Sequence, residues 1–401
     1  MLFLHFLGSY DSTSDTYKNM HRNYLFRAWI LLIFFIPCSA SNQIWNIHGQ
    51  FAGWSSYART RTSSVTLGLR YIPTLEPSFS LYTNHVLDLE LSINAYYKAE
   101  MQSRNTISTN QKAEPYRLWV RYFSDQFESR LGLQKISFGP AIFFRPLMWF
   151  DTLDPRDPLQ LTHGVYALLF RYYFLNNANA WLWGLYGNER LKGWDSFTSA
   201  EKTIEFGGRV QYPFLSGEVG LSYHQRRFEY QSFNPMYLIL NSKTAPEQRF
   251  GLDAKWDWTV GLWIESSFTH QVTSEIPYSW QRGVTIGCDY TFDLGNGLTV
   301  ISEYFTLAAG DKIFYGSDKI RFSALAGNYP FGLLDLLEAI FYYDWKNEKS
   351  YRFIDWKRTY DNWVFYLMVF WNPDQTGILP SPSGTASFSG KGIQFMVTFN
   401  H

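Results

Sequence analysis

Charge is scarce in this sequence. Asp, Glu, Lys and Arg make up 17% of the residues, against about 25% in an ordinary soluble domain. Neither sign dominates, with 35 basic and 35 acidic residues, so there is no electrostatic case for nucleic acid or for an acidic partner. Cysteine is nearly absent. Cys38 lies in a leader, which leaves Cys288 alone and excludes an intrachain disulfide or a cysteine metal cluster. The histidines show no spacing suited to a metal, and no cofactor is expected. Long apolar runs are missing too, apart from one between Ala28 and Pro37, and the mean hydropathy is -0.22. A bundle of transmembrane helices, each needing about 20 apolar residues, is therefore excluded.

The single apolar run reads as the core of a signal peptide. Arg22 and Arg27 precede it, and Cys38, Ser39 and Ala40 follow as small residues suited to cleavage, giving residues 1–40 as leader and a mature start near Ser41. Met20 is well placed as the true start. Pro37 argues against acylation of Cys38. Loss of Lys18, Arg22 and Arg27 with Asp11 and Asp15 leaves 32 basic against 33 acidic residues.

What the chain has in abundance is aromatic rings, 19% of residues. Trp and Tyr combine an apolar body with a polar tip and gather at membrane–water interfaces, and all three ring types favour half-buried strands. From Gln43 onward the dominant pattern is period-two alternation. Val284, Ile286, Cys288, Tyr290 and Phe292 alternate with Thr285, Gly287, Asp289, Thr291 and Asp293. Phe250, Leu252, Ala254, Trp256 and Trp258 alternate with Gly251, Asp253, Lys255 and Asp257. Such segments are strands with one wet face and one oily face.

Counted this way there are 18 segments, with 16 as the alternative if weak ones merge. The turns after even-numbered segments are short, as at Leu215 to Gly217 and Tyr360 to Asn362, and the connections after odd-numbered ones are long, as at Gly139 to Gly164 and Asn372 to Gly390. The connection near Ser78 to His85 is longer than this rule prefers. Even strand number with alternating loop length predicts an all-β fold, a transmembrane antiparallel β-barrel over residues 41–401, with both ends in the periplasm. Closure is required because no backbone donor or acceptor can go unpaired in hydrocarbon.

The leader, the aromatic-rimmed alternating segments and the final amphipathic strand together resemble the general and substrate-selective porins of Gram-negative bacteria. RLGLQKISFGP from Arg130 to Pro140 and WFDTLDPRDP from Trp149 to Pro158 are similar to a strand and loop of porin-like families. The chain departs from those families at its end, where Phe399 is followed by Asn400 and His401 rather than closing the sequence. The resemblance implies residence in the bacterial outer membrane, contact with its lipid and its barrel-insertion machinery, possible assembly as a homo-trimer, and passive diffusion of small hydrophilic solutes. It also implies that loop 139–164 folds into the lumen as a constriction carrying Arg145, Asp151, Asp154, Arg156 and Asp157. The residues fit that role, since both signs of charge in a narrow aqueous space filter solutes by charge.

On the inward register lie Arg117, Arg121, Glu205, Arg209, His224, Arg226, Asp253, Lys255, Asp257, Glu265, Asp289, Glu303 and Arg321, with Trp119 and Trp263 among them. They are expected to line the pore. Hydrolysis is the rival chemistry, because Ser222 and His224 share a strand face, but a third triad member and an oxyanion donor are not evident, so no enzyme is expected. The runner-up is a barrel serving a secretion or assembly machine.

Overall fold

The computed structural model describes residues 42–102, 106–234, 239–316, 318–374 and 388–401; the leader, with Met20 and the apolar run, lies outside the described residues. The strands are β1 Asn42–Arg59, β2 Ser63–Tyr82, β3 His85–Gln102, β4 Thr106–Phe123, β5 Phe127–Gln134, β6 Val165–Tyr173, β7 Asn179–Tyr186, β8 Ile204–Phe214 and β9 Gly217–Asn234. They continue with β10 Ile239–Asp257, β11 Gly261–Gln271, β12 Trp280–Phe292, β13 Leu298–Gly310, β14 Asp318–Pro330, β15 Asp335–Asp344, β16 Lys349–Tyr360, β17 Trp363–Trp371 and β18 Lys391–Asn400. Each pairs antiparallel with the next, and β1 pairs with β18 from Gln50 opposite Asn400 to Arg59 opposite Lys391, so a single sheet of 18 strands closes on itself.

The short turns fall after even-numbered strands, as the spacing predicts. The connection that looked too long is a two-residue turn at 83–84, because β2 and β3 run further than their alternation suggests. Asn84 sits there at φ 65°, a left-handed conformation that Asn tolerates better than most side chains. β4 begins at Thr106 and β10 at Ile239, well before the alternating cores at 115–123 and 250–258. Those extensions are polar on both faces and carry no period-two signal. In β4 a bulge opposite Ser92 and Ile93 leaves Tyr116 without a cross-strand partner, next to Pro115, which has no N–H to contribute. The extra residue turns both Glu114 and Arg117 inward, and both are buried.

The two faces divide by polarity over most of the ring. Leu69, Leu252, Ile286 and Phe395 are exposed on the outside, while their neighbours Arg70, Asp253, Thr285 and Gln394 are buried within. One sector departs from this rule. The inner faces of β13 to β17 carry Phe305, Phe322, Ala324, Ile340, Tyr342, Phe353, Met368 and Phe370, and these form an apolar core inside the barrel with Phe143, Phe144 and Phe388 from the loops. Full burial of each large side chain contributes roughly 1.5–3 kcal/mol. Here the wall is apolar on both sides.

The lipid-facing assignment predicts a depth-dependent cost for charge. Leu252→Arg and Ile286→Arg are each expected to cost about 2–4 kcal/mol, and Tyr212→Arg, near the short-turn end, about 0–1 kcal/mol, in urea titrations of protein refolded into bilayers. Equal costs at all three positions would contradict the belt.

Candidate functional site: loops docked inside the barrel

The connection from 135 to 164 turns into the lumen and makes contact with most of its circumference. Gly139 takes φ 92°, and a side chain there would collide with the Glu265 carboxylate. That carboxylate, from β11, accepts the amides of Ala141 at 3.0 Å and Leu147 at 2.7 Å. Glu303, from β13, accepts three successive amides, Ile142 at 2.6 Å, Phe143 at 2.9 Å and Phe144 at 2.9 Å, and the Trp263 indole at 3.1 Å. Successive N–H groups converging on one anion form a nest. The Thr285 hydroxyl donates to the Phe144 carbonyl at 2.6 Å. The Phe144 ring then slots between Phe305 and Phe322, nearly parallel to both at 5.4 and 5.6 Å. Trp149 donates to Ser267 at 2.9 Å, and Phe150 packs edge-on against Trp183 and His224.

The five loop charges singled out in the sequence all lie here, and all are buried. Arg145 bonds Ser137 at 2.7 Å and Asp151 at 3.3 Å. Arg156 and Asp154 form a two-pronged pair at 2.8 and 2.7 Å, with the Arg156 guanidinium over the rings of Phe353 and Phe388. Asp157 accepts the Leu159 amide at 3.0 Å. Burial pushes its carboxyl up to about 6, against the opposing pull of that amide and of Arg70.

A second connection, 187–203, also enters the lumen and was not foreseen. Its Gly193, at φ 46°, crosses so close to Met148 that a side chain would strike the Met148 carbonyl. The Gly193 amide donates to the Asp151 carbonyl at 2.9 Å, and the Trp194 indole to the Arg145 carbonyl at 3.0 Å. Asp195 bridges Arg226 at 2.9 Å and Arg249 at 2.7 Å, and both arginines also meet Glu247, at 2.6 and 2.7 Å. Alternation flags Arg226 as inward but not Arg249, which lies in the part of β10 that precedes its alternating core, and nothing in the local pattern says which loop reaches either.

The expected wall residues fall on the inner face, with one exception, and many are engaged with one another. Arg209 forks onto Asp253, with the second arm at 2.8 Å, and donates to Ser222 at 3.0 Å. His224 meets Glu205 at 3.2 Å and accepts from the Trp183 indole at 3.2 Å, while Lys192 lies 3.7 Å from Glu205. Arg117 donates to the carbonyls of Tyr116 and Thr162. Arg121 pairs with Asp88, Lys255 with Asp257 at 3.2 Å, and Asp289 stands half-buried beside Gly261. The exception is Arg321, which is exposed on the outer register; its neighbour Phe322 takes the inner position, drawn in by the aromatic core. Trp119 faces inward, bonded to Glu90 at 2.9 Å with Arg130 over its ring at 4.5 Å. His270 stacks on Trp280 at 4.4 Å, on the outer face.

A closed antiparallel sheet of 18 strands with an apolar outside, an ionic inside and inward-folded connections has the fold of a transmembrane β-barrel, in which no sheet edge is left to meet hydrocarbon. Among solved structures of similar fold is OccK5 (OpdH) of Pseudomonas aeruginosa, with TM-score 0.53 and 11% identity over 89% of this chain and 97% of that one. OmpT, an outer membrane protein of Vibrio cholerae in its trimer form, aligns with TM-score 0.50 and 10% identity over 90% and 100%. An anion-selective porin from Comamonas acidovorans aligns with TM-score 0.49 and 12% identity over 90% and 100%. At these identities the likeness is one of fold. No protein-family model matches the sequence, and no curated protein matches it.

Glu303→Ala would strip the acceptor from three loop amides, two of them buried, and a buried indole. Each buried donor left unbonded costs about 1–3 kcal/mol, so the variant is expected to unfold at clearly lower urea, by on the order of 3 kcal/mol. Stability equal to wild type would mean that the loop is not held by this carboxylate.

Proposed function

We propose that the protein is a porin-like channel through which small hydrophilic solutes diffuse passively. The observation that carries this reading is the docked loop pair: two connections are fastened inside a closed barrel by ionic groups, as suits a narrowed aqueous passage rather than a solid core. Loop 139–164, with Arg145, Asp151, Asp154, Arg156 and Asp157, is the constriction. The half-exposed wall near the short-turn end, where Trp119, Arg121, Arg130 and Asp289 lie, is the vestibule on one side of it. Pairing of the constriction charges narrows the passage without giving it strong charge preference, since a matched pair has little field beyond its own length.

A hydrolytic reading has little support. Ser222 is bonded to Arg209 and His224 to Glu205 and Trp183, so the serine and histidine do not address each other. Lipid on the outside, transient contact with the barrel-insertion machinery, and assembly as a homo-trimer complete the reading.

Purified mature protein is expected to give discrete conductance steps in planar bilayers; a folded barrel that stays silent would favour a sleeve for a secretion or assembly machine. Asn at positions 151, 154 and 157 together is expected to shift the permeability ratio toward anions, and an unchanged ratio would place the loop away from the passage. Because the Asp157 carboxyl sits near pH 6, protonation on acidification removes a negative charge. Relative cation permeability should therefore fall as pH drops through about 6, and Asp157→Asn should flatten that dependence.

A further inference from the structure

The outer face of the barrel is apolar over most of its height, but cations gather on part of its long-loop end. In the register of β16, β17, β18 and β1, Arg352 stands opposite Trp371, Trp371 opposite Lys391, and Lys391 opposite Arg59. They form a single row across neighbouring strands. All take outward positions, since Tyr351, Phe353, Phe370 and Ala58 beside them pack inside the barrel, and the three cations are exposed. Arg321, two strands further along on β14, is exposed on the same face.

Residues directly opposite one another in adjacent antiparallel strands have Cβ atoms about 4.5–5.5 Å apart, and like charges so placed destabilise a sheet. Lys391 and Arg59 are such a pair. Among the described residues neither they nor Arg352 make an ion pair, and the outward positions of β16, β17, β18 and β1 hold no Asp or Glu. At the short-turn end of the same face Arg358 does have a carboxylate, Asp335 at 3.7 Å. The sheet therefore supplies a counter-charge at one end of this face and none at the other.

Each cation also stands at the head of an apolar lane. Towards the short-turn end Arg59 is followed by Tyr57, Lys391 by Ile393 and Phe395, Trp371 by Val369 and Arg352 by Ile354, all exposed on the outside. Elsewhere on the rim such lanes end without charge, as at Tyr186 on β7 and Ile204 on β8, which are likewise exposed. Unpaired cations above exposed apolar lanes match a molecule with phosphate at one end and acyl chains at the other. Guanidinium and ammonium groups both donate to phosphate oxygens, and an indole such as that of Trp371 suits the headgroup level. A soluble anion would use the cations alone and gain nothing from the lanes.

We propose that Arg352, Lys391 and Arg59 form a binding site on the outer wall for a phosphate-bearing acyl lipid, its phosphate bridging Lys391 and Arg59 and its chains lying along the lanes below. The phosphate provides the counter-charge that the sheet lacks there. The site rests on the barrel fold and is independent of the channel reading.

Native mass spectrometry of the folded barrel in non-ionic detergent, titrated with an equimolar mixture of dioleoyl phosphatidic acid and dioleoyl phosphatidylcholine, reads the preference as a ratio within one sample. Each Lys or Arg near a membrane surface favours an anionic lipid about fivefold, so wild type is expected to prefer phosphatidic acid on the order of 100-fold. Arg59→Gln with Lys391→Gln should reduce that ratio to about fivefold, whereas Arg358→Gln should leave it unchanged. Arg59→Lys with Lys391→Arg keeps both charges and should keep the preference, which separates loss of charge from loss of packing. A wild-type ratio near one, a double Gln variant that retains the wild-type ratio, an Arg358→Gln variant that loses as much, or loss in the charge-keeping variant would each overturn the site. Glycerol phosphate in large excess, having a phosphate but no chains, is expected not to displace the lipid; displacement would assign the row to a soluble anion and overturn the lipid.

Discussion

Hydrocarbon offers no partner to a backbone N–H or C=O, and the rest of this structure follows from that refusal. The pairing of β1 with β18 removes the last free edge, and closure gives every strand an outside and an inside. Eighteen strands enclose more space than the wall side chains can fill. Among the described residues the excess is taken up by the 135–164 and 187–203 connections, with Phe388 from a third, and a connection brought indoors carries its own backbone groups with it. Glu265 and Glu303 answer that need. Carboxylates on the inner face, which in an open pore would meet ions, here hold the loop amides.

The same economy explains the buried ions. Removing a charge from water is costly unless a partner and hydrogen bonds replace the solvent. Arg209 with Asp253, Arg226 and Arg249 with Glu247 and Asp195, and Arg156 with Asp154 all meet that condition. The interior is thereby divided into sectors. Apolar packing dominates from β13 to β17, ion-pair networks cross from β8 to β10, and a partly open charged wall of arginines, carboxylates and tryptophans runs from β3 to β7.

Much of this was legible in the sequence. Strand number, the parity of loop lengths and the lipid-facing side of β10 and β12 follow from alternation, since a wet face beside an oily one leaves a period-two trace. The expectation that loop 139–164 folds inward came from family resemblance, not from the residues alone. Three features left no such trace. The inner faces of β14 and β15 are apolar, so Ile340 beside Phe341 carries no contrast to read, and Phe322 beside Arg321 carries one of the opposite sense, which is why alternation turns Arg321 inward. The entry of 187–203 depends on Asp195 finding two arginines more than thirty residues away in sequence. The pairing of the loop charges, Arg156 with Asp154 and Arg145 with Asp151, is local in sequence but depends on how the loop folds on itself, which composition does not encode.

Spin labels placed singly at Leu252, Asp253, Thr285 and Ile286 in bilayers give the most direct test of which face meets lipid. Collision with oxygen, which concentrates in hydrocarbon, should dominate at Leu252 and Ile286, and should be weak at Asp253 and Thr285. The opposite alternation, with oxygen reaching Asp253 and Thr285 and a polar relaxant reaching Leu252 and Ile286, would contradict the account.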